Sequence, residues 1–209
     1  MQEINLDSNK YRFLELLDEV NRDGADMSAL VYKLQQSDFF EAPASTIYHL
    51  NVKGGLCQHS LNVFDVLVEL VNKYCPEKYD RETLIIVALL HDLDKMDKYE
   101  ISYKNIKNYS PHGKKVDEDG EKFDWRKEKG YKTKENTNRF VYGHHGQNSE
   151  YIVNSYIPLK TEESAAITNH MGSTQEYMPY DMTAIFNHYT LASLLHAADF
   201  IATYVLEVL

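Results

Sequence analysis

Two cysteines and five prolines in 209 residues leave little from which to build a disulfide scaffold or a proline-rich linker. Cys57 and Cys75 fit a reducing compartment better than a stapled secreted fold, so a cytoplasmic protein is the expectation. Long hydrophobic runs are lacking too. "LIIVALL" spans seven residues, far below the roughly 18 or more that a membrane span requires, and no such span is expected. The opening "MQEINLDSNKYRF" has no basic cluster followed by an apolar stretch, so no secretory signal is expected. No repeat, low-complexity tract or Ser-rich linker marks a boundary, and the length suits one core, which predicts a single domain over 1–209.

An excess of positive charge is also missing. The formal net charge of −10 argues against a general nucleic-acid binder, which needs a basic surface to neutralise phosphates. The charge is uneven, however: between Lys104 and Arg139 lie 11 of the 22 Lys and Arg residues against seven acids. A solvated loop is one reading of this segment. The other is a lid whose cations, with Trp125 and several Tyr, select a phosphorylated, base-containing substrate.

What is present is ordinary globular composition, 43% hydrophobic and 26% charged, with helical periodicity over most of the chain. Phe13, Leu16, Leu17 and Val20 predict one short helix, and Met27, Leu30, Val31 and Leu34 a second. After Pro43 and the "KGG" turn, a longer helix is predicted from about Leu56 to Tyr74, closed by Pro76. Asp80 can cap the next, Glu82 to Asp92, whose centre is apolar all round and therefore buried. Helices are also predicted over about His145–Tyr156, from a Thr161 N-cap through Met171, and over about Tyr189–Leu206. Between 99 and 142 the pattern becomes polar and Gly-punctuated, with room for a hairpin but no clear helix. The expected class is all-α, a helical bundle carrying one irregular, hairpin-compatible insertion.

Several of the nine histidines fall on apolar helix faces. His59 shares one with Val63 and Val66, His91 ends the buried helix, and His170 follows Ile167. A lone His there is usually a hydrogen-bonded core residue. Asp92 and Asp199 on core-facing helices are harder to place, because a carboxylate is almost never buried without a partner or a metal. Neutral imidazoles supply nitrogen donors but no full charge, whereas a divalent cation satisfies every group together. Adjacent residues on a helix diverge by about 100°, so His91 and Asp92 can serve one centre only where the helix ends, as it does in "LLHDLDK".

With His59 in "GGLCQHSLNV", the doublet in "LLHDLDK" and Asp199 in "LLHAADFIATY", the sequence resembles the HD superfamily of metal-dependent phosphohydrolases over about residues 41–205. That resemblance implies a helical HD-type domain and one or two divalent transition-metal ions. The implied ligands are His59, His91, Asp92 and Asp199, joined in two-metal members by one His from "GHHGQNS", better His145 than His144, and one from "TNHMGS", His170. Asp92 would bridge two ions. With a single ion, His145 and His170 would instead contact substrate phosphate. Mixed His and carboxylate donors suit Mn, Fe, Co, Ni or Zn over Mg or Ca.

The implied chemistry is phosphoester hydrolysis by water activated between the cations. Lys95 is expected to meet substrate phosphate. Asp94 is expected either to hold a ligand or accept a proton, or to lie outside the chemistry. His144 and His196 would at most support a ligand, and His49, His112 and His188 are read as ordinary histidines, His49 lying close by. A nucleotide or similar small phosphorylated molecule is the expected substrate, long nucleic acid is not expected as a partner, and self-association is left open. The alternatives are a nuclease or cyclic-nucleotide phosphodiesterase, though the GYP motif of one such class is absent, and a catalytically silent metal-containing module that binds a nucleotide or a partner.

Overall fold

The computed structural model describes residues 4–135, 141–172 and 182–208. The N-terminal periodicity forms α1 (Leu6–Asp18), capped by Asn5, and α2 (Met27–Gln36), capped by Asp26. Next come α3 (Gly55–Tyr74) and α4 (Arg81–Leu90), the latter capped by the Asp80 side chain on Thr83 N–H at 2.6 Å. α5 (His145–Asn154) and α6 (Thr161–Asn169) follow the insertion. α7 (Met182–His188) and α8 (Thr190–Ile201) complete the set, and α8 runs on as a π-helical turn over Ala202–Leu206.

The apolar sequence of α4 predicted its position: every residue from Thr83 to Leu90 is buried, with α1, α3 and α6 packed against the helix. α8 lies on α3 and α6, so the core is a layered helical bundle with α4 at its centre. Among the described residues no single helix is long and apolar enough to cross a membrane.

The insertion corrects the all-α assignment. Its described part is a three-stranded antiparallel sheet ordered β1-β3-β2, with β1 (Tyr99–Tyr109), β2 (Lys115–Val116) and β3 (Lys122–Thr133). β-Branched and aromatic residues fill ten of the 25 strand positions and helical periodicity is absent, so local propensity favours strands and the long β1–β3 register pairs them. Residues 136–140, including Arg139, lie outside the described residues.

Three further boundaries differ from expectation. α4 stops at Leu90 rather than Asp92, because His91 turns its Nδ1–H back onto Ala88 O at 2.8 Å and the chain tightens into a 3-10 turn, Leu93–Lys95. Lys160, not Thr161, is the N-cap of α6, and the helix ends at Asn169. α7 was not anticipated.

The "KGG" turn sets where the preceding loop sits. Gly54 has a φ of 80°, and a Cβ on Gly55 would lie 2.1 Å from Leu50 O. Only glycine lets the 44–50 loop press against the start of α3. That contact brings His49 alongside the helix that carries His59.

Away from the site, Arg22 joins α4 to α6, donating to Glu82 at 2.9 Å and to the fully buried Glu163 at 2.8 Å. Burial pushes the Glu163 carboxyl up, but Arg22, Thr83 and the Lys160 N–H bonded to it hold it below the usual carboxylate value. The folded value is thus depressed, so this group adds stability above its unfolded range near 4.5 that is lost as pH falls through the folded value. Arg22→Ala is expected to lower unfolding free energy by about 3 kcal/mol at pH 7, and the difference from wild type should shrink below about pH 4. Arg12→Ala, which breaks the half-exposed pair with Asp65, should cost under about 1 kcal/mol. Urea unfolding of both variants across pH checks this.

Candidate metal centre

Five elements converge on Asp92. α3 supplies His59, the end of α4 supplies His91 and Asp92, the first residue of α5 is His145, the end of α6 gives His170, and α8 gives Asp199. His91, His59, Asp92 and His170 are all but fully buried.

The Asp92 carboxylate faces two ways. Its Oδ2 lies 3.7 Å from His59 Nε2 and 3.6 Å from His91 Nε2, while its Oδ1 lies 2.5 Å from His145 Nε2 and 3.6 Å from His170 Nε2. Asp199 Oδ1 approaches His59 Nε2 at 3.1 Å. His59, His91 and Asp199 form one cluster whose ligand atoms lie within 4.8 Å of one another, and His91, Asp92 and His170 form another.

Each imidazole is held from behind. His91 Nδ1 bonds Ala88 O at 2.8 Å, and His170 Nδ1 bonds Ile167 O at 2.7 Å. Because a carbonyl can only accept, both rings carry the proton on Nδ1 and turn a bare Nε2 inward. Neither Nε2 has a hydrogen-bond partner among the described residues. Two buried lone pairs aimed at a buried carboxylate are a costly arrangement unless a cation meets them. The donor set therefore fits a divalent metal.

His145 Nδ1 is bonded to Asp94 Oδ2 at 2.8 Å, and Asp94 in turn accepts from Lys98 at 3.0 Å and Asn148 at 3.1 Å. Glu207 plays the matching part for His59, its carboxylate lying 3.1 Å from Nδ1 and accepting from Asn62 at 2.8 Å. Carboxylates behind ligating imidazoles fix their orientation and raise their basicity.

The electrostatics follow from these contacts. Burial pushes the His91 imidazole down to about 3, keeping it neutral. Burial opposes charge on His59 too, but Glu207 and Asp199 overcome it and lift the ring to about 10. Asp92 is held well below the usual carboxylate range: burial would raise it, and Lys95 with the neighbouring imidazoles outweighs that. Lys95 Nζ sits 2.6 Å from Asp92 Oδ2 and is itself raised by that contact against burial.

The six residues of the expected ligand set thus come together with Lys95 beside them, and Asp94 lies behind His145. His196 donates from Nδ1 to His170 O at 2.7 Å, supporting the end of α6. His144 caps α5 and does not face Asp92; His112 and His188 are exposed. Sequence reasoning missed Glu207, although an acid inside the apolar "YVLEVL" was the same signal that singled out Asp199. His49, read from the sequence as an ordinary histidine lying close by, packs its ring 4.8 Å from that of His59 and has neither nitrogen hydrogen-bonded among the described residues. Burial pushes His49 down to about 4.

A cavity of about 330 Å³ opens onto Asp92, Lys95 and Asp199, with His49 on one wall and Tyr48, Phe200 and Tyr204 at its rim. None of the described sheet residues lines it. A wider depression of about 830 Å³ between α1 and α3 holds no imidazole and is bridged by surface ion pairs, so the smaller cavity is the one with chemistry.

The family model described as HD domain matches residues 56–179, which span His59 to His170 and stop short of Asp199. No curated protein and no solved structure matches the chain.

Asp92→Ala is expected to abolish metal retention, measured by elemental analysis after dialysis. Glu207→Ala, which frees the His59 ring, should weaken metal affinity about 10–100-fold without unfolding the chain. Unchanged affinity in Glu207→Ala would show that His59 needs no such support.

Proposed function

The chain belongs to the HD domain family of metal-dependent phosphohydrolases, and from that premise we propose that it cleaves a phosphoester of a nucleotide or similar small phosphorylated substrate. The observation that carries the reading is the two-sided environment of Asp92, with His59 and His91 at one oxygen and His145 and His170 at the other. That arrangement favours two ions over one: His59, His91 and Asp199 would hold one, His145 and His170 the other, and Asp92 would serve both. Mixed nitrogen and carboxylate donors favour Mn, Fe, Co, Ni or Zn. When bound, such ions polarise a phosphoester and make water a better nucleophile.

The chain's own residues do the rest. Lys95 lines the cavity at the Asp92 carboxylate, where its ammonium can bind a substrate phosphate oxygen. Asp94 keeps the His145 proton on Nδ1 and so keeps Nε2 turned toward Asp92. Tyr48, Phe200 and Tyr204 present aromatic faces at the rim, which suits a nucleobase attached to the phosphate. A silent metal-containing module would have no need of a complete donor set with a free-standing cavity over it.

Protein with its metals confirmed present is expected to release phosphate from a nucleoside phosphate, or to split a generic phosphodiester, in Mn, Ni or Co. Failure on every substrate would leave only the binding-module reading. Lys95→Ala should keep its metal and lower kcat/KM about 10–100-fold, the loss of one charge-assisted contact of roughly 1.5–3 kcal/mol.

A further inference from the structure

The β1–β3 register sorts the side chains of the insertion onto two unlike faces. Residues directly paired across antiparallel strands share a face, and that face recurs every second residue. The pairs Tyr103–Lys129, Asn105–Lys127, Lys107–Trp125 and Tyr109–Phe123 therefore lie on one side, and Lys115, paired with Phe123, joins them. The other side holds Glu100–Lys132, Lys104–Glu128, Ile106–Arg126 and Asn108–Asp124, where acids alternate with cations and Lys132 bonds Glu100 at 3.0 Å. Lys107, Lys115, Lys127 and Lys129 thus share a face with no strand acid. Asp117 reaches Lys107 at 3.8 Å from the turn at the tip.

The same face exposes large rings: Tyr103 is 66% exposed, Tyr109 53% and Trp125 50%. Phe123 is buried beneath them, its ring 5.1 Å from Trp125 and 5.9 Å from Tyr109. Lys107 and Lys115 stand over the rings of Phe123 and Trp125. Aromatic surface left in water among lysines marks an interaction site rather than a core.

The geometry points to single-stranded nucleic acid as the ligand of this sheet face, with the exposed rings stacking on unpaired bases and the four lysines meeting phosphates. Single strands combine a π-face on every base with regularly spaced negative charge, which this row of rings and cations complements. A duplex offers the charge but keeps its bases stacked on one another, and an acidic peptide does not set a flat ring beside every negative charge. Overall acidity does not forbid the contact, because charges more than about 8 Å away are screened at physiological salt. Binding here neither requires turnover at the metal centre nor follows from it.

Trp125 is the single tryptophan of the chain, so its emission reports on this face alone. The full-length protein as isolated is titrated at low salt with a twelve-nucleotide oligo-U and the matching oligo-dT, following Trp125 emission and the anisotropy of labelled oligonucleotide. Quenching that saturates, with a log affinity against log salt slope of about −2 to −3, is expected for three or four neutralised phosphates. Tyr103→Ala should weaken binding about tenfold, within the range for losing one stacked base. Lys127→Ala with Lys129→Ala should weaken it at least tenfold, whereas Lys104→Ala with Lys132→Ala on the opposite face should change it less than threefold. Thermal unfolding must first show every variant folded as wild type. Absence of quenching, equal losses from both lysine pairs, equal affinity for a blunt duplex, or the same quenching with phosphatidylserine vesicles would each overturn the assignment.

Discussion

A single buried carboxylate sets the terms for this molecule. Asp92 is almost wholly removed from water, and a carboxylate there costs several kcal/mol unless positive charge reaches it. Lys95 supplies one such charge at 2.6 Å, but two of the imidazole nitrogens aimed at its oxygens, His91 Nε2 and His170 Nε2, have no hydrogen-bond partner among the described residues. The fold is arranged around that demand. α4 is apolar on every side because its task is to carry His91 and Asp92 to the centre of the bundle, and it ends where His91 folds back on Ala88. α3, α5, α6 and α8 contribute one donor each, from four different parts of the chain.

Around the donors lies an outer ring of groups that do not line the cavity over Asp92 but decide which nitrogen faces inward. Backbone carbonyls do this for His91 and His170, and carboxylates do it for His145 and His59. The difference matters chemically. A carbonyl only orients its imidazole, whereas Glu207 also makes His59 more basic.

The sheet answers to different physics. Tyr103, Tyr109 and Trp125 lie open to solvent over the buried Phe123, and its strands are held mainly by each other. The strands carry cations on both faces, but only the face of Lys107, Lys115, Lys127 and Lys129 is free of strand acids, so the ribbon sets a cation-rich surface beside a helical body richer in carboxylates.

Much of this was legible in the sequence. The apolar run before His91 announced a central helix. The spacing of His59, the His91–Asp92 doublet and Asp199 on core-facing positions announced metal-ligand chemistry, because a buried carboxylate among neutral imidazoles needs a cation to offset its desolvation. Helical periodicity is a local property, reaching a few residues either way, and so it located α1 to α6 and α8 to within a few residues. It could not show that Glu207, 148 residues beyond His59, returns to hold that ring, nor that Gly55 brings His49 alongside it. Nor could it show which oxygen of Asp92 faces which pair of histidines, or that alternate residues of β1 and β3 divide charge between two faces. The kinds of groups present were determined by the sequence alone. Their partners were decided by tertiary packing, because contacts between distant segments depend on how α3, α8 and the strands come to lie together, and no local pattern encodes that.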